Sequence, residues 1–404
     1  MAHATARLQG GHRIELLEGS HAFFPALIAA MDAARREIHF ETYIFDFTGS
    51  STAVAEALVR AAERGVRTCV AVDGLGTGRA PPSWAKRFAE AGVTWRIYSP
   101  VNALVLLLPT RWRRLHRKLC VVDGHTAFCG GINVLDDYHD PSWGALQAPR
   151  LDFAVRVTGP LVADAHRTVG QLWRRLQAVH DLRRHDLPSA MRDLIDDAEG
   201  QAATGTHNAS RPPLTRATLL LRDNLRHRKR IEQAYLKAIG AARHEIVIAN
   251  AYFIPGRKLR NALVQAARRG VRVRLLLQGR YEYFLQYHAS RPVYGMLLDA
   301  GVEIHEYAPS FLHAKVAVVD GHWATVGSSN LDPLSLLLAR EANVVIEDAP
   351  FAQQLAQRLD LAMRDGGQRM EMARYDERPL LQRCKERLAM AVMRLGLFVT
   401  GNRY

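Results

Sequence analysis

The sequence predicts an α/β protein made of two tandem copies of one α/β/α unit, with mixed, largely parallel sheets packed about a pseudo-twofold axis. Four observations carry this. The pattern His-x-Lys-x4-Asp occurs twice, as His116, Lys118 and Asp123 and as His313, Lys315 and Asp320. Each copy is followed by a small-residue stretch ending in Asn, Gly130-Gly131-Ile132-Asn133 and Gly327-Ser328-Ser329-Asn330. Flanking strings repeat too: Ala61-Ala62-Glu63-Arg64-Gly65-Val66-Arg67 matches Ala266-Ala267-Arg268-Arg269-Gly270-Val271-Arg272, and Ala91-Gly92-Val93 matches Ala300-Gly301-Val302. The repeat is one long unit, not a short-period solenoid. Finally, each copy alternates helical and strand periodicity, which implies a largely parallel sheet covered by helices.

Taken in order, Phe23 to Ala34 carries helical spacing and Ile38 to Phe45 reads as a strand. Thr52 to Arg64 is a helix stopped by Gly65, Val66 to Val72 a strand, and Trp84 to Ala91 a helix stopped by Gly92. The second copy repeats this with Ile231 to Ala242, Ile246 to Phe253, Leu259 to Arg269, Val271 to Gln278 and Arg291 to Ala300. A polar, small-residue run from Gly200 to Ser210, followed by Pro212-Pro213, reads as linker. The expected organisation is a first domain over 1–179, a linker over 180–216, a second domain over 217–370 and a basic amphipathic tail over 371–404.

A length of 404 residues suits two domains with sizeable cores. The net charge of +14 favours an anionic partner, either nucleic acid or an anionic membrane surface, without choosing between them. Four cysteines, Cys69, Cys120, Cys129 and Cys384, form no Cys-x-x-Cys pair and suggest neither a disulfide framework nor a zinc site. There is no signal-peptide core, and no apolar run approaches the roughly 18–20 residues a spanning helix needs. The expectation is a peripheral protein on the cytoplasmic side of the cell membrane. Two segments suit lipid contact. The first copy carries about a dozen extra residues before its motif, including Ala103 to Pro109 and then Arg111, Trp112, Arg113 and Arg114. In the tail, Leu381, Cys384, Leu388, Val392 and Leu395 follow helical spacing beside Arg383, Lys385, Arg387 and Arg394. Each segment can equally be packed against its own domain.

His116 and Lys118, two apart on a strand, project from one face, as do His313 and Lys315. Asp123 and Asp320 complete the candidate catalytic set, but each precedes Gly, a hairpin turn signal, and so also reads as scaffold. If the halves face one another, two histidines, two lysines and two asparagines converge on one phosphate. The lysines bring charge and Asn133 and Asn330 donate hydrogen bonds, with Ser328 as a further substrate contact. One histidine can attack phosphorus while the other acts as acid and then base. The scheme uses no metal and no cofactor.

The doubled motif with its Gly-Gly-x-Asn and Gly-Ser-x-Asn sequels resembles the phospholipase D superfamily, over Arg13 to Asp348. The longer strings Gly327 to Leu336 and Ala249 to Pro255 resemble bacterial cardiolipin synthases, and the lack of amino-terminal spanning helices resembles the B-type among them. The resemblance implies phosphatidyl transfer from phosphatidylglycerol through a covalent phosphatidyl-histidine, with glycerol released. It implies His116 as nucleophile and His313 as acid and base, with Asp152 orienting His313 and Glu341 orienting His116. Ala339-Arg340-Glu341 departs from the usual Asn-x-Glu, which bears on the acceptor or headgroup preferred.

Three other functions compete. A phosphodiesterase acting on nucleic acid would share the catalytic set and suit the charge, but the cardiolipin-synthase-like strings and the apolar insertion count against nucleic acid. A phospholipase D that hydrolyses lipid differs only in the second acceptor. A catalytically dead membrane-binding protein is disfavoured by two complete motifs. The sequence is silent on oligomeric state.

Overall fold

A computed structural model of the chain describes residues 8–100, 113–183, 215–223, 229–282, 284–332 and 339–399, with side chains omitted for Arg183, Arg374 and 394–399. The apolar insertion at Ala103 to Leu108 and most of the expected linker lie outside the described residues. The chain divides into two compact units: residues 1–136 with 154–219, and residues 137–153 with 220–404. The division does not follow the repeat boundary, because the short segment 137–153 of the first copy belongs to the second unit.

In the first unit, β1 (Arg13–Glu18), β2 (Glu37–Thr42), β3 (Arg67–Asp73), β4 (Thr94–Tyr98), β5 (Lys118–Val122), β6 (Thr126–Gly130) and β7 (Phe153–Thr158) form one sheet in the order β1-β7-β6-β5-β2-β3-β4. The second unit repeats the plan with β8 (Arg216–Arg222), β9 (Glu245–Asn250), β10 (Arg272–Gln278), β11 (Glu303–Tyr307), β12 (Lys315–Val319), β13 (Trp323–Gly327), β14 (Ala339–Glu347) and β15 (Gly367–Arg369), in the order β8-β14-β13-β12-β9-β10-β11-β15. Both sheets are mixed. Strands β2, β3 and β4, and likewise β9, β10 and β11, pair in parallel, with helices making the crossovers. The motif strands β5 and β12 pair antiparallel with both neighbours. The reason is local: Asp123 and Asp320 adopt φ of 52° and 50° before a glycine, and so short a turn can only join antiparallel strands.

Helices α1 (Gly19–Asp32), α2 (Ser51–Glu63) and α3 (Pro82–Ala91) are followed by α4 (Leu161–Arg183) in the first unit. Phe23, Leu27, Met31, Val54 and Leu58 bury their apolar stripes against Ile38, Phe40, Val70 and Val72. Leu172 of α4 packs with Ala71 and Leu115. In the second unit α5 (Arg230–Ala241), α6 (Arg257–Arg268), α7 (Phe284–Ser290), α8 (Tyr294–Asp299) and α9 (Ala349–Gly366) play equivalent parts. The helix expected over Arg291 to Ala300 is shorter, because Pro292 cannot continue a helix from α7 and the chain passes through a 3-10 turn, Arg291–Val293. The strands expected to reach Phe45 and Phe253 end at Thr42 and Asn250. Beyond Thr42 side chains take over from the ladder: the Ile44 N–H donates to Asn133 Oδ1 at 3.1 Å and the Phe45 N–H to Thr77 Oγ1 at 2.8 Å.

The tail forms α10 (Leu380–Val399). Its docked face is not the stripe expected from spacing. Ala389 and Met393 pack on Ile254 and Ala289, and Glu386 is buried. Leu380, Leu381, Leu388 and Val392 stay exposed, and Leu395 lies outside the described side chains. No described helix is long and apolar enough to cross a membrane.

Candidate active site

Each motif begins where its strand enters the sheet beside the carboxyl ends of the parallel strands. Lys315 opens β12 opposite Asn250, the last residue of β9. Lys118 opens β5 and pairs with Gly130. Strand alternation puts histidine and lysine on one face and buries the residue between them on the other: Arg117 in the first unit, Ala314 in the second. Both lysines are buried, and each ammonium donates to the carbonyl of its own histidine, Lys118 to His116 at 2.8 Å and Lys315 to His313. Burial lowers the Lys315 pKa from its usual 10.5 to about 8, although Asp152, Glu341, Glu282 and Asp332 pull the other way. In the first unit Tyr43 packs beneath the motif, its ring 5.0 Å from the His116 ring and 5.4 Å from the Lys118 ammonium.

His313 lies 2.6 Å through Nδ1 from Oδ2 of buried Asp152. The segment 137–153 brings this carboxylate to the second unit, where the Leu151 N–H donates to the Phe311 carbonyl and the His313 N–H to the Leu151 carbonyl. A carboxylate on Nδ1 fixes the tautomer and leaves Nε2 to exchange protons. Glu341 is fully buried in β14 and accepts from the Ser328 hydroxyl. Ser328 is itself fully buried and bonded back to Ala342, so its hydroxyl braces Glu341. Asn133 is buried with Oδ1 held by Ile44, which turns its amide hydrogens the other way, and Asn330 is buried beside Leu331.

The two motif aspartates bind backbone around their turns. Asp123 accepts from the backbone N–H groups of Arg35, Arg36 and Glu37 at 2.8, 2.8 and 2.9 Å. Asp320 accepts from Arg243, His244 and Glu245 at 2.9, 2.8 and 2.9 Å. Burial would raise their pKa values, but these amides outweigh it and hold both below the usual range. Their carboxylates are committed to the turn.

Three residues went unnoticed in the sequence. Glu41 and Arg117 form a buried ion pair at 2.5 Å behind the first motif. Asp73 ends β3 and accepts the N–H of Leu115, the residue before His116, at 2.7 Å. The only hint was that their repeat equivalents differ in character: Ala249, Ala314 and Gln278.

Among the described residues one group could hold a metal, Glu37, His39 and His166, whose ligand atoms lie within 4.8 Å of one another. It sits at the turn end of β2, with Glu37 beside Asp123 rather than beside His116. Its carboxylate is already shared among His166, His39 and Arg67.

The family model described as cardiolipin synthase, PLD-like domain, matches residues 27–143 and 235–362, which contain both motifs. Cardiolipin synthase B of Salmonella typhi is 40% identical over 350 residues, 86% of this chain and 80% of that protein. Cardiolipin synthase B of Escherichia coli K12 is 37% identical over 358 residues, 87% of this chain and 80% of that protein. In fold the chain resembles phosphatidylserine synthase of Haemophilus influenzae, with a TM-score of 0.68 and 16% identity over 98% of this chain and 97% of that one. The chain therefore belongs to the cardiolipin synthase family and is an enzyme of the phospholipase D superfamily.

Proposed function

We propose that this enzyme is a phosphatidyltransferase that makes cardiolipin from two molecules of phosphatidylglycerol. His116 attacks the phosphorus of the donor, and His313 protonates the departing glycerol. His313 then takes the proton of the second phosphatidylglycerol's headgroup hydroxyl as that oxygen displaces the histidine. Lys118, Lys315 and the Asn133 amide stabilise the charged phosphoryl oxygens. The observation that carries this reading is His313 locked by Asp152 beside a fully buried lysine, inside a chain that matches cardiolipin synthases through both motifs.

The enzyme works at an anionic membrane surface from the cytoplasmic side. Supporting this, α10 exposes Leu380, Leu381, Leu388 and Val392 along one helix, with the cations Lys385 and Arg387 also exposed, the composition of an interfacial helix. The test is mass spectrometry of the lipids formed from phosphatidylglycerol vesicles, with labelled phosphatidyl trapped on the protein. Cardiolipin and label on His116, absent in His116→Ala, are expected. Phosphatidic acid as sole product would make the enzyme a lipid hydrolase, and label on His313 would reverse the two roles.

A further inference from the structure

In each unit the last residue of the second parallel strand holds the backbone just ahead of the motif histidine. Asp73 ends β3 and accepts the Leu115 N–H at 2.7 Å. Gln278 ends β10 and accepts the Leu312 N–H through Oε1 at 3.1 Å. The structural task is shared, but the remainder of the side chain differs. Asp73 spends its other oxygen on the N–H groups of Leu75 and Gly76. Gln278 has an amide nitrogen left over. Its orientation is forced, since a flipped amide would set N–H against N–H. That nitrogen is buried, finds no partner among the described residues, and belongs to a side chain lining a cleft. Leaving a buried donor without an acceptor is unfavourable, so a ligand that supplies the acceptor is favoured there.

The rest of the lining defines that ligand. Tyr252, Arg280, Glu282, Tyr287 and Ser290 surround the cleft with Gln278. Tyr252 donates its hydroxyl to Glu282 at 2.9 Å, which fixes the carboxylate. An ammonium headgroup would face the Gln278 hydrogens and the Arg280 guanidinium, and a phosphate would face Glu282. A neutral polyol satisfies both, since each hydroxyl offers one proton and accepts another. The position is apt as well. The cleft stands at the carboxyl ends of parallel β9 and β10, where α/β sheets bind ligands. Its wall residue Ala251 donates to the Ala314 carbonyl at 3.0 Å, between His313 and Lys315.

We propose that this cleft is the acceptor subsite and binds the vicinal diol of a glycerol headgroup, Gln278 donating to one hydroxyl and Glu282 accepting from the other. The inference rests on the transferase reading above. The bound terminal hydroxyl attacks phosphorus: the O–P bond forms as the N–P bond of the phosphatidyl-histidine breaks, the histidine nitrogen keeps the electron pair, and the hydroxyl proton passes to His313.

The test measures transfer from labelled phosphatidylglycerol by the full chain to free glycerol, to 1-propanol and to a second phosphatidylglycerol, with hydrolysis by water as the internal reference. Gln278→Glu keeps the acceptor for Leu312 but removes the donor, and Glu282→Gln keeps the partner of Tyr252. For each, the ratio of kcat/KM with glycerol to that with 1-propanol is expected to fall about tenfold or more, the worth of one lost hydrogen bond. A loss confined to the free-glycerol arm, or to the cardiolipin-forming arm, identifies the source of the diol, and either supports the subsite. An equal loss for glycerol, propanol and water means that the two residues only brace His313, and it overturns the proposal, as does an unchanged glycerol-to-propanol ratio. Wild-type protein that transfers to no alcohol at all would instead remove the transferase reading itself, and the subsite with it.

Discussion

The buried pair of Glu41 and Arg117 offers a sharp test, because the second half of the chain already contains its deletion. Both side chains are almost fully buried, and both the Nε and a terminal nitrogen of Arg117 approach one Glu41 oxygen to 2.5 Å. At the equivalent positions of the second repeat stand Ala249 and Ala314, each fully buried. The pair is therefore dispensable to the fold, yet removing one partner should be costly. Arg117→Met leaves the Glu41 carboxylate buried and uncompensated, a loss of about 3–5 kcal/mol. At about 2–4 °C per kcal/mol for a domain of this size class, the first unit should melt roughly 6–20 °C lower. Adding Glu41→Leu removes the stranded charge at similar volume and should recover most of the loss. Urea and thermal unfolding of the wild type, both single variants and the double variant complete the cycle. A single-variant cost below about 0.5 kcal/mol, or a double variant whose loss is the sum of the singles, would refute the reasoning.

Asp152→Asn should lower the rate by about 10²- to 10⁴-fold with little effect on folding, because an amide donating to Nδ1 of His313 forces its proton onto Nε2; turnover near wild type would show that the 2.6 Å contact does not set the tautomer. Lys315 is charged below about pH 8 and neutral above it, so kcat/KM should decline as pH rises through 8, whereas Lys315→Arg should keep its charge and lose that limb; a profile flat to pH 10 would contradict the burial effect. The same shift has a stability sign: between about 8 and 10.5 the unfolded chain binds more protons than the folded one, so the second unit should gain stability with rising pH across that window. Activity should persist in EDTA, since Lys118 and Lys315 bring the charge to the phosphate; full loss, restored by one divalent ion, would overturn this.

Much of the fold was legible because its signals are local. Gly65, Gly92, Gly270 and Gly301, which stop helices or their following turns, all have φ near +85 to +90°, and the Asp-Gly turns place both motif hairpins. The motif residues were legible because they repeat. What escaped acts through the backbone or through a distant segment. Asp73 and Gln278 bind a main-chain N–H, so the partner leaves no trace in side-chain identity. The α10 stripe was visible as a stripe, but spacing does not say whether an apolar face is buried or presented. Here Glu386, Ala389 and Met393 dock instead, and Glu386 is tolerated because Arg378 pairs with it at 2.5 Å.

The differences between the halves carry more about function than their likeness does. Duplication explains why two strands each present a histidine and a lysine, but identical halves would treat donor and acceptor alike. Two differences around the motif depart from symmetry. The first half has an ion pair behind the strand where the second has two alanines. It has an aspartate fully spent on backbone where the second has a glutamine with a donor to spare. The first change stiffens the first motif, and the second leaves a donor for polar recognition beside the second. On the transfer proposed above, a stiffened first motif suits the attacking histidine, and a spare donor beside the second motif suits selection of the alcohol. The division predicts that first-half variants such as Arg117→Met change stability, whereas second-half variants such as Gln278→Glu change the choice of acceptor.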